Sequence, residues 1–273
     1  RALVEIAGGA GWEITLSQLR TMVNWALATG ISFIKPHAVF QSLKGMRKRD
    51  YPPSHFVQEP WWRYYLDFTD YTTRLSCLLS QGTHMADIAL LYPTQSLWIE
   101  HALKGPRERL HEITESCVAL TNALLHLQRD FDYVFETAIT EGGVRVENGK
   151  LVVGAESFSV LILPPLTAAP LELLSLAQEM VESGGTVLAL GRLPVSSRVS
   201  AKDRDLLNKI EAIWGSRARR LASGEIERLP GPKKERLAER IERLHSGGGR
   251  AVYVAWSAPL TEELAETILR DLL

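Results

Sequence analysis

The feature of this 273-residue chain that most constrains its fold is an alternation of short apolar segments with amphipathic helical ones. Near the start, two apolar segments, residues 2–6 and 31–37, flank Leu16–Thr29, in which apolar residues recur at helical spacing. Gly30 then ends the helical segment as a helix C-cap would. A strand, a crossover helix and a second parallel strand form one βαβ unit. Reactive groups in such sheets collect at the carboxyl ends of the strands.

Two polar residues follow the apolar strands of this unit and are candidates for chemistry. Glu5 comes directly after residues 2–4, and His37 follows residues 31–34 and Pro36. A carboxylate at a strand end can act as a nucleophile or general base, and glycoside hydrolysis needs two carboxylates about 5 to 9.5 Å apart. A surface or helix-capping glutamate explains Glu5 about as well, and a lone histidine is more often a satisfied core residue.

Further candidates lie in the loops around these strands. Trp12 and Glu13 follow a glycine-rich turn, where Trp12 could stack on a sugar and Glu13 could supply a second carboxylate, although packing before the next helix also explains Trp12. Trp61 and Trp62 follow a proline-bounded loop, where they either line a sugar subsite or lie buried under the loop. Four charged residues stand where a barrel places substrate contacts, or else form a solvated charge run: Lys44, Arg47, Arg49 and Asp50.

The chain from about residue 84 onward carries five apolar strands separated by helical segments. This alternation of apolar strands and helices predicts a parallel sheet with helices on both faces, and more specifically a flavodoxin-like three-layer sandwich of strand order 2-1-3-4-5. Asn148-Gly149 predicts a two-residue hairpin turn, so that residues 141–158 form an inserted β-ribbon. Residues 216–232 are the least regular and are predicted to be a loop. The predicted strands are 86–92, 131–137, 159–163, 186–190 and 251–256, and the predicted helices are 106–129, 171–183, 202–214, 233–245 and a last one from 261.

Composition and charge exclude several classes of partner. The net charge of −1 and the pI of about 6.7 favour neither nucleic acid nor an anionic membrane, and no stretch approaches 18 uninterrupted apolar residues. Cys77 and Cys117, both in amphipathic helical segments, are expected to be buried free thiols. Pro164-Pro165 ends the third strand without a nucleophile, and no glycine cluster has the pattern of a phosphate loop. No cofactor and no metal are predicted, and a soluble protein is expected, with the cytoplasm favoured as its compartment.

The order of these segments resembles that of the large bacterial glycoside hydrolases typified by the α-L-rhamnosidases (glycoside hydrolase family 106 and close relatives). The resemblance covers most of residues 1–195, and the second half is similar to the flavodoxin-like domain found after the barrel in several β-galactosidase-type and rhamnosidase-type enzymes. The resembling segments are the Glu5 strand with Gly8–Trp12, then Leu19–Gly30, the strand ending in His37, Tyr51–Ser54, Trp61-Trp62 leading to Arg74 and Gly82, Ile88–Pro93, Leu161–Pro165 and Glu182–Val187.

The resemblance implies that residues 1–83 are the last two βα units of a (β/α)₈ barrel. Residues 84–273 would then form a flavodoxin-like (class I amidotransferase-like) α/β domain. Glu5 would stand at the end of strand seven as the catalytic carboxylate and His37 at the end of strand eight as a substrate contact, while the partner acid would come from an earlier strand. The implied substrate-binding residues are His37, Trp12, Arg47, Asp50, Trp61 and Trp62.

The function expected from this resemblance is cleavage of glycosidic bonds, α-L-rhamnosides among them, by a carboxylate pair. The chain begins on its first strand without an initiator methionine, so we expect a piece of a longer enzyme that is inactive by itself. The expected partners are a carbohydrate substrate, the missing N-terminal barrel segment, C-terminal β-domains of the same chain and a second copy in a homo-oligomer. The alternative is a non-catalytic carbohydrate-binding or oligomerisation module. A free-standing α/β hydrolase is disfavoured by the lack of a nucleophile elbow.

Overall fold

The computed structural model describes residues 2–82, 84–101, 107–197, 203–224, 239–256 and 259–273. The chain divides into two compact units, Arg1–Thr83 and His84–Leu273, which are described separately. Both are built of strands and helices, so the chain has the expected α/β architecture. Among the described residues, no helix has the length and apolar character needed to cross a membrane.

The first unit contains one βαβ arrangement followed by a loop and a helix. Strands β1 (Leu3–Ile6) and β2 (Phe33–Pro36) pair in parallel, and helix α1 (Leu16–Ala28) connects them. After the loop, which carries short 3₁₀ turns at Gly45–Lys48 and Trp62–Tyr64, helix α2 (Tyr65–Leu79) completes the unit.

Helix α1 begins at Thr15 because the sequence supplies a capping box there. The Thr15 hydroxyl accepts a hydrogen bond from the Gln18 backbone N–H (3.2 Å), while Gln18 Oε1 accepts one from the Thr15 backbone N–H (2.9 Å). The helix ends before Gly30, whose φ of +90° suits glycine. The buried face of α1 packs against strand and helix residues in one core, whose buried members are Ile6, Ala7, Ile14, Leu19, Val23, Leu27 and Phe68.

The second unit is organised around a six-stranded sheet. From one edge to the other, its strands are β10 (Glu239–Leu244), β11 (Arg250–Ala255), β9 (Thr186–Leu190), β8 (Val160–Leu163), β3 (Ile88–Tyr92) and β4 (Phe131–Phe135). The five strands β3, β4, β8, β9 and β11 are parallel and follow the predicted order 2-1-3-4-5. Strand β10 pairs antiparallel with β11 at the edge.

Alternate residues along the parallel strands enter two separate hydrophobic cores, so helices cover both faces of the sheet. Leu161 and Leu163 of β8 lie in one core, and Ile162 between them lies in the other. Helices α4 (Glu108–His126) and α9 (Glu262–Leu272) cover the Ile162 face, whereas α5 (Glu136–Thr140), α6 (Leu171–Glu182), α7 (Arg204–Trp214) and α8 (Ser216–Ala222) cover the other. Helix α3 (Thr94–Glu100) follows β3.

The predicted hairpin is present, and a third strand extends it. Strands β5 (Val144–Glu147), β6 (Lys150–Val153) and β7 (Glu156–Phe158) form an antiparallel sheet. At the turn between β5 and β6, Asn148 and Gly149 have φ of +52° and +75°, as a two-residue turn of this kind requires.

Three sequence predictions are wrong within the described residues. The sequence predicts a helix over residues 233–245, but the structure has strand β10 from Glu239 onward, and residues 233–238 lie outside the described residues. The segment is a strand because its backbone pairs with β11 and its charged side chains suit the edge of a sheet. The loop predicted over 216–232 begins with helix α8, which buries Ala218, Leu221 and Ala222, and residues 225–232 lie outside the described ones. Cys77 is exposed rather than buried.

Gly149→Ala is expected to destabilise the second unit more than Gly142→Ala. Both glycines have φ near +75°, but a Cβ at Gly149 would lie 2.6 Å from the Ser183 carbonyl oxygen, whereas one at Gly142 would meet nothing within 4 Å. The additional loss in free energy of unfolding is about 1 to 3 kcal/mol, the usual cost of overpacking. Urea unfolding followed by circular dichroism measures it. Equal losses for the two variants would contradict the close packing of the turn on the end of α6.

Candidate active site

Parallel pairing of β1 and β2 brings Glu5 and His37 to one edge of the first unit. Glu5 pairs in register with Lys35, and the His37 backbone N–H donates a hydrogen bond to the Ile6 carbonyl oxygen (2.9 Å). The two side chains line one open cleft of about 420 Å³, together with Ala7, Gly8 and Tyr51. The structure therefore brings together the two residues that the sequence singled out first.

Glu5 is an accessible carboxylate with a cation beside it. Its side chain is 47% exposed, and its Oε1 lies 3.9 Å from Lys35 Nζ. An exposed pair at this distance contributes little to stability. The carboxylate is therefore open to a ligand in the cleft rather than locked in a structural ion pair.

His37 is held against the glycine-rich turn and Tyr51. Its ring meets the Tyr51 ring edge-on, with centroids 6.0 Å apart, and a Cβ at Gly8 would lie 3.5 Å from His37 Cγ. His37 Nδ1 is buried and has no hydrogen-bond partner among the described residues. Packing thus fixes the imidazole in place and shields its Nδ1 from solvent.

The other predicted contact residues in the loops lie outside the lining of this cleft. Trp12 Nε1 donates a hydrogen bond to the Lys48 carbonyl oxygen (2.7 Å), which joins the glycine-rich turn to the 3₁₀ turn at 45–48. Arg47 donates to the Lys44 carbonyl oxygen (3.2 Å), and Asp50 is exposed. In this structure Trp12 and Arg47 therefore stabilise the loops beside the cleft.

Trp61 and Trp62 belong to an aromatic cluster centred on Tyr65. Trp61 stacks on Tyr65 with ring centroids 5.5 Å apart, and its Nε1 donates to the Ile14 carbonyl oxygen (2.9 Å). Trp62 stacks on Tyr65 at 5.3 Å and meets the ring of Phe56 edge-on. Both indoles are half-buried, and they lie in this cluster rather than in the lining of the cleft.

Sequence reasoning missed a buried histidine and a buried carboxylate in the loop that follows His37. His55 is 1% exposed, its backbone N–H donates to the Ala38 carbonyl oxygen (2.9 Å), and its Nδ1 lies 3.0 Å from the Tyr65 hydroxyl. Burial, and then the charge of His37, lower the pKa of His55 to about 4. Glu59 is 3% exposed, its carboxylate has no hydrogen-bond partner among the described residues, and burial raises its pKa.

Comparison with known proteins identifies the class to which this α/β chain belongs, the glycoside hydrolases. It belongs to glycoside hydrolase family 106, since the model of that family, described as alpha-L-rhamnosidase, matches residues 5–229. None of the curated protein sequences compared with the chain matches it significantly.

Solved structures of β-galactosidases share the fold of the chain. A catalytic mutant of Gan42B, a family 42 β-galactosidase from G. stearothermophilus, matches with a TM-score of 0.59 and 12% identity over 94% of this chain. The β-galactosidase from Bacillus circulans sp. alkalophilus matches with a TM-score of 0.56 and 14% identity over 92% of this chain. The chain spans only 39% and 40% of the length of these two structures.

The burial of His55 gives a pH prediction. Its pKa is about 4 in the folded chain against 6.5 when exposed, so the unfolded chain binds more protons between these values. His55 therefore contributes up to about 3 kcal/mol of stability above pH 6.5 that is lost as the pH falls towards 4. NMR titration of the His55 ring protons, with N-acetylhistidine amide as reference, is expected to show a neutral imidazole down to about pH 4. A midpoint near 6.5 would mean that water reaches the ring.

Proposed function

We propose that this chain is part of a glycoside hydrolase acting on α-L-rhamnosides, in which residues 1–83 supply the last two βα units of a (β/α)₈ barrel. The observation that carries the proposal is the cleft at the ends of two parallel strands, where Glu5 and His37 meet. Barrel enzymes place their active sites at this end of the strands. Membership of family 106 supports the reaction class and the choice of sugar.

The exposed face of the two strands supports a barrel. Val4 and Ile34 pack towards the core formed with the helices, whereas Leu3 and Phe33 are 56% and 54% exposed on the opposite face. Side chains alternate along a strand, so Glu5 lies on the Leu3 face. In a closed barrel this is the inner face, and Glu5 would point from it towards a bound sugar.

In the proposed reaction, Glu5 acts as nucleophile or general base, and an acid from another barrel strand protonates the leaving-group oxygen. The glycosidic bond breaks through an oxocarbenium-like transition state. A separation of about 5 to 5.5 Å between the carboxylates would give retention, and one of about 6.5 to 9.5 Å would give inversion. His37, which lines the same cleft, would hydrogen-bond a sugar hydroxyl.

The second unit is proposed to be a flavodoxin-like domain of the class I amidotransferase type with a structural or interfacial role. Its 2-1-3-4-5 order of parallel strands and its helices on both faces support this assignment. Strand β8 is followed by Pro164 and Pro165, where a catalytic relative would carry a nucleophile.

Glu5→Gln in the longest natural protein that contains this chain is expected to lower kcat/KM on an aryl α-L-rhamnoside by at least about 100-fold, the low end for loss of a general base. The amide keeps the size of the side chain but cannot attack or accept a proton. Asp67→Asn, an exposed change on helix α2, is the control and is expected to leave the rate unchanged. Full activity in Glu5→Gln would reject Glu5 as the catalytic carboxylate.

Residues 1–273 alone are expected to show no turnover of the same substrate, because the proposed partner acid lies on another barrel strand. The assay compares the purified chain with the longer protein at equal concentration. Turnover by the chain that is abolished by Glu5→Gln would show that it carries a complete site. Tight rhamnoside binding by the longer protein with no turnover would favour the alternative, a carbohydrate-binding module.

A further inference from the structure

A histidine and two glutamates from two helices converge on the surface of the second unit. His126 lies in the last turn of α4, and Glu262 and Glu266 stand one turn apart at the start of α9. His126 Nδ1 lies 3.0 Å from Glu262 Oε1 and 2.8 Å from Glu266 Oε1. One ligand atom from each of the three residues lies within 4.8 Å of the other two. The sequence gives no sign of this cluster, since 140 positions separate His126 from Glu266.

Neighbouring side chains engage the second oxygen of each carboxylate. Asn122, one turn before His126 on α4, donates a hydrogen bond from Nδ2 to Glu262 Oε2 (2.9 Å). Arg270 Nη2 lies 3.9 Å from Glu266 Oε2. Both Oε1 atoms are therefore left facing the imidazole. A hydrogen bond like that from Asn122, made by a group next to a site, orients the ligands of metal sites in proteins.

The two helices are fixed to each other by a shared core. Leu120, Ala123 and Leu124 of α4 and Ala265, Ile268 and Leu269 of α9 lie in the same hydrophobic core against the sheet. The ligand side chains remain 60%, 41% and 28% exposed for His126, Glu262 and Glu266, so an ion from solvent can reach them. The cluster is thus positioned by rigid elements and open on its outer side.

We propose that His126, Glu262 and Glu266 bind Zn²⁺ and thereby join α4 to α9. One imidazole and two carboxylates are ligands that zinc accepts, with water in the fourth position. Zinc bonds of about 2.0 to 2.2 Å in a tetrahedron separate neighbouring ligand atoms by about 3.3 to 3.6 Å, so His126 Nδ1 needs to move by less than about 1 Å from each glutamate oxygen. Binding displaces the proton from Nδ1. Calcium and magnesium are poorer candidates because they prefer an all-oxygen set of six or more ligands.

A second cluster of His84, Asp132 and Glu156 fits zinc less well. His84 Nδ1 lies 3.2 Å from Asp132 Oδ2, but its Nε2 is bonded to Asp130 Oδ2 at 2.9 Å. At His126 both carboxylates lie within 3.0 Å of the same ring nitrogen, whereas the short contacts of His84, to Asp132 and Asp130, are divided between its two ring nitrogens. This cluster serves as an internal comparison for the experiment.

The test is isothermal titration of the EDTA-treated and dialysed chain with zinc chloride. We expect one equivalent of zinc to bind, His126→Ala to abolish this binding, and Glu266→Gln to weaken it at least tenfold. The matched control is His111→Ala, which removes an exposed histidine of the same helix whose one carboxylate neighbour among the described residues, Glu115, lies at 3.7 Å. This control is expected to bind zinc as the unchanged chain does.

A second measurement reports the joining of the helices. Zinc at about 100 times its Kd is expected to raise the Tm of the unchanged chain by roughly 5 °C and to leave that of His126→Ala unaffected. Circular dichroism of the metal-free variants shows whether they fold. Unchanged zinc binding in His126→Ala, or loss of zinc only in His84→Ala, would overturn the proposal. A chain that binds calcium as tightly as zinc would overturn the choice of metal.

Discussion

Parallel pairing of strands is the constraint on which both units depend. Parallel neighbours cannot be joined by a tight turn, so each connection must cross back along the sheet, as α1 does between β1 and β2 and α4 does between β3 and β4. One consequence is that strand ends of the same polarity share an edge, and this places Glu5 beside His37. The other is that the crossover helices cover the sheet, which gives the second unit its two separate cores.

Much of this architecture could be predicted because burial on both faces leaves a plain pattern in the sequence. A continuous apolar run such as Val160–Leu163 is typical of a strand whose successive side chains enter opposite cores, and Asn148-Gly149 is among the strongest local signals for a hairpin. The edge strand β10 carries no such pattern. Its arginines and glutamates favour a helix locally, and only pairing with β11, together with the contacts of Arg217 with Glu239 and Arg250 with Glu242, makes it a strand.

The residues of the candidate site likewise include some that the sequence reveals and some that it does not. Glu5 and His37 could be found from the sequence because a polar residue directly after an apolar strand falls at a predictable edge of the sheet. His55 and Glu59 could not, because their burial arises from the packing of a loop against Tyr65 and the neighbouring indoles. The loop that carries His55 and Glu59 has many polar residues, and its sequence therefore predicts an exposed connection. Clusters such as that of His126 with Glu262 and Glu266 are equally hidden, since only the tertiary fold brings their members together.

The sheet of the first unit and the six-stranded sheet of the second also differ in how completely they are covered, and this bears on the proposed activity. In the second unit most apolar residues of the central strands are buried, whereas in the first unit Leu3 and Phe33 remain more than half exposed beside Glu5. A pair of strands with one open face has little stability of its own. In the proposed barrel, the strands that would cover Leu3 and Phe33 are also the ones that would bring the second carboxylate to Glu5. Burial of the open strand face and assembly of the catalytic pair would therefore be one event.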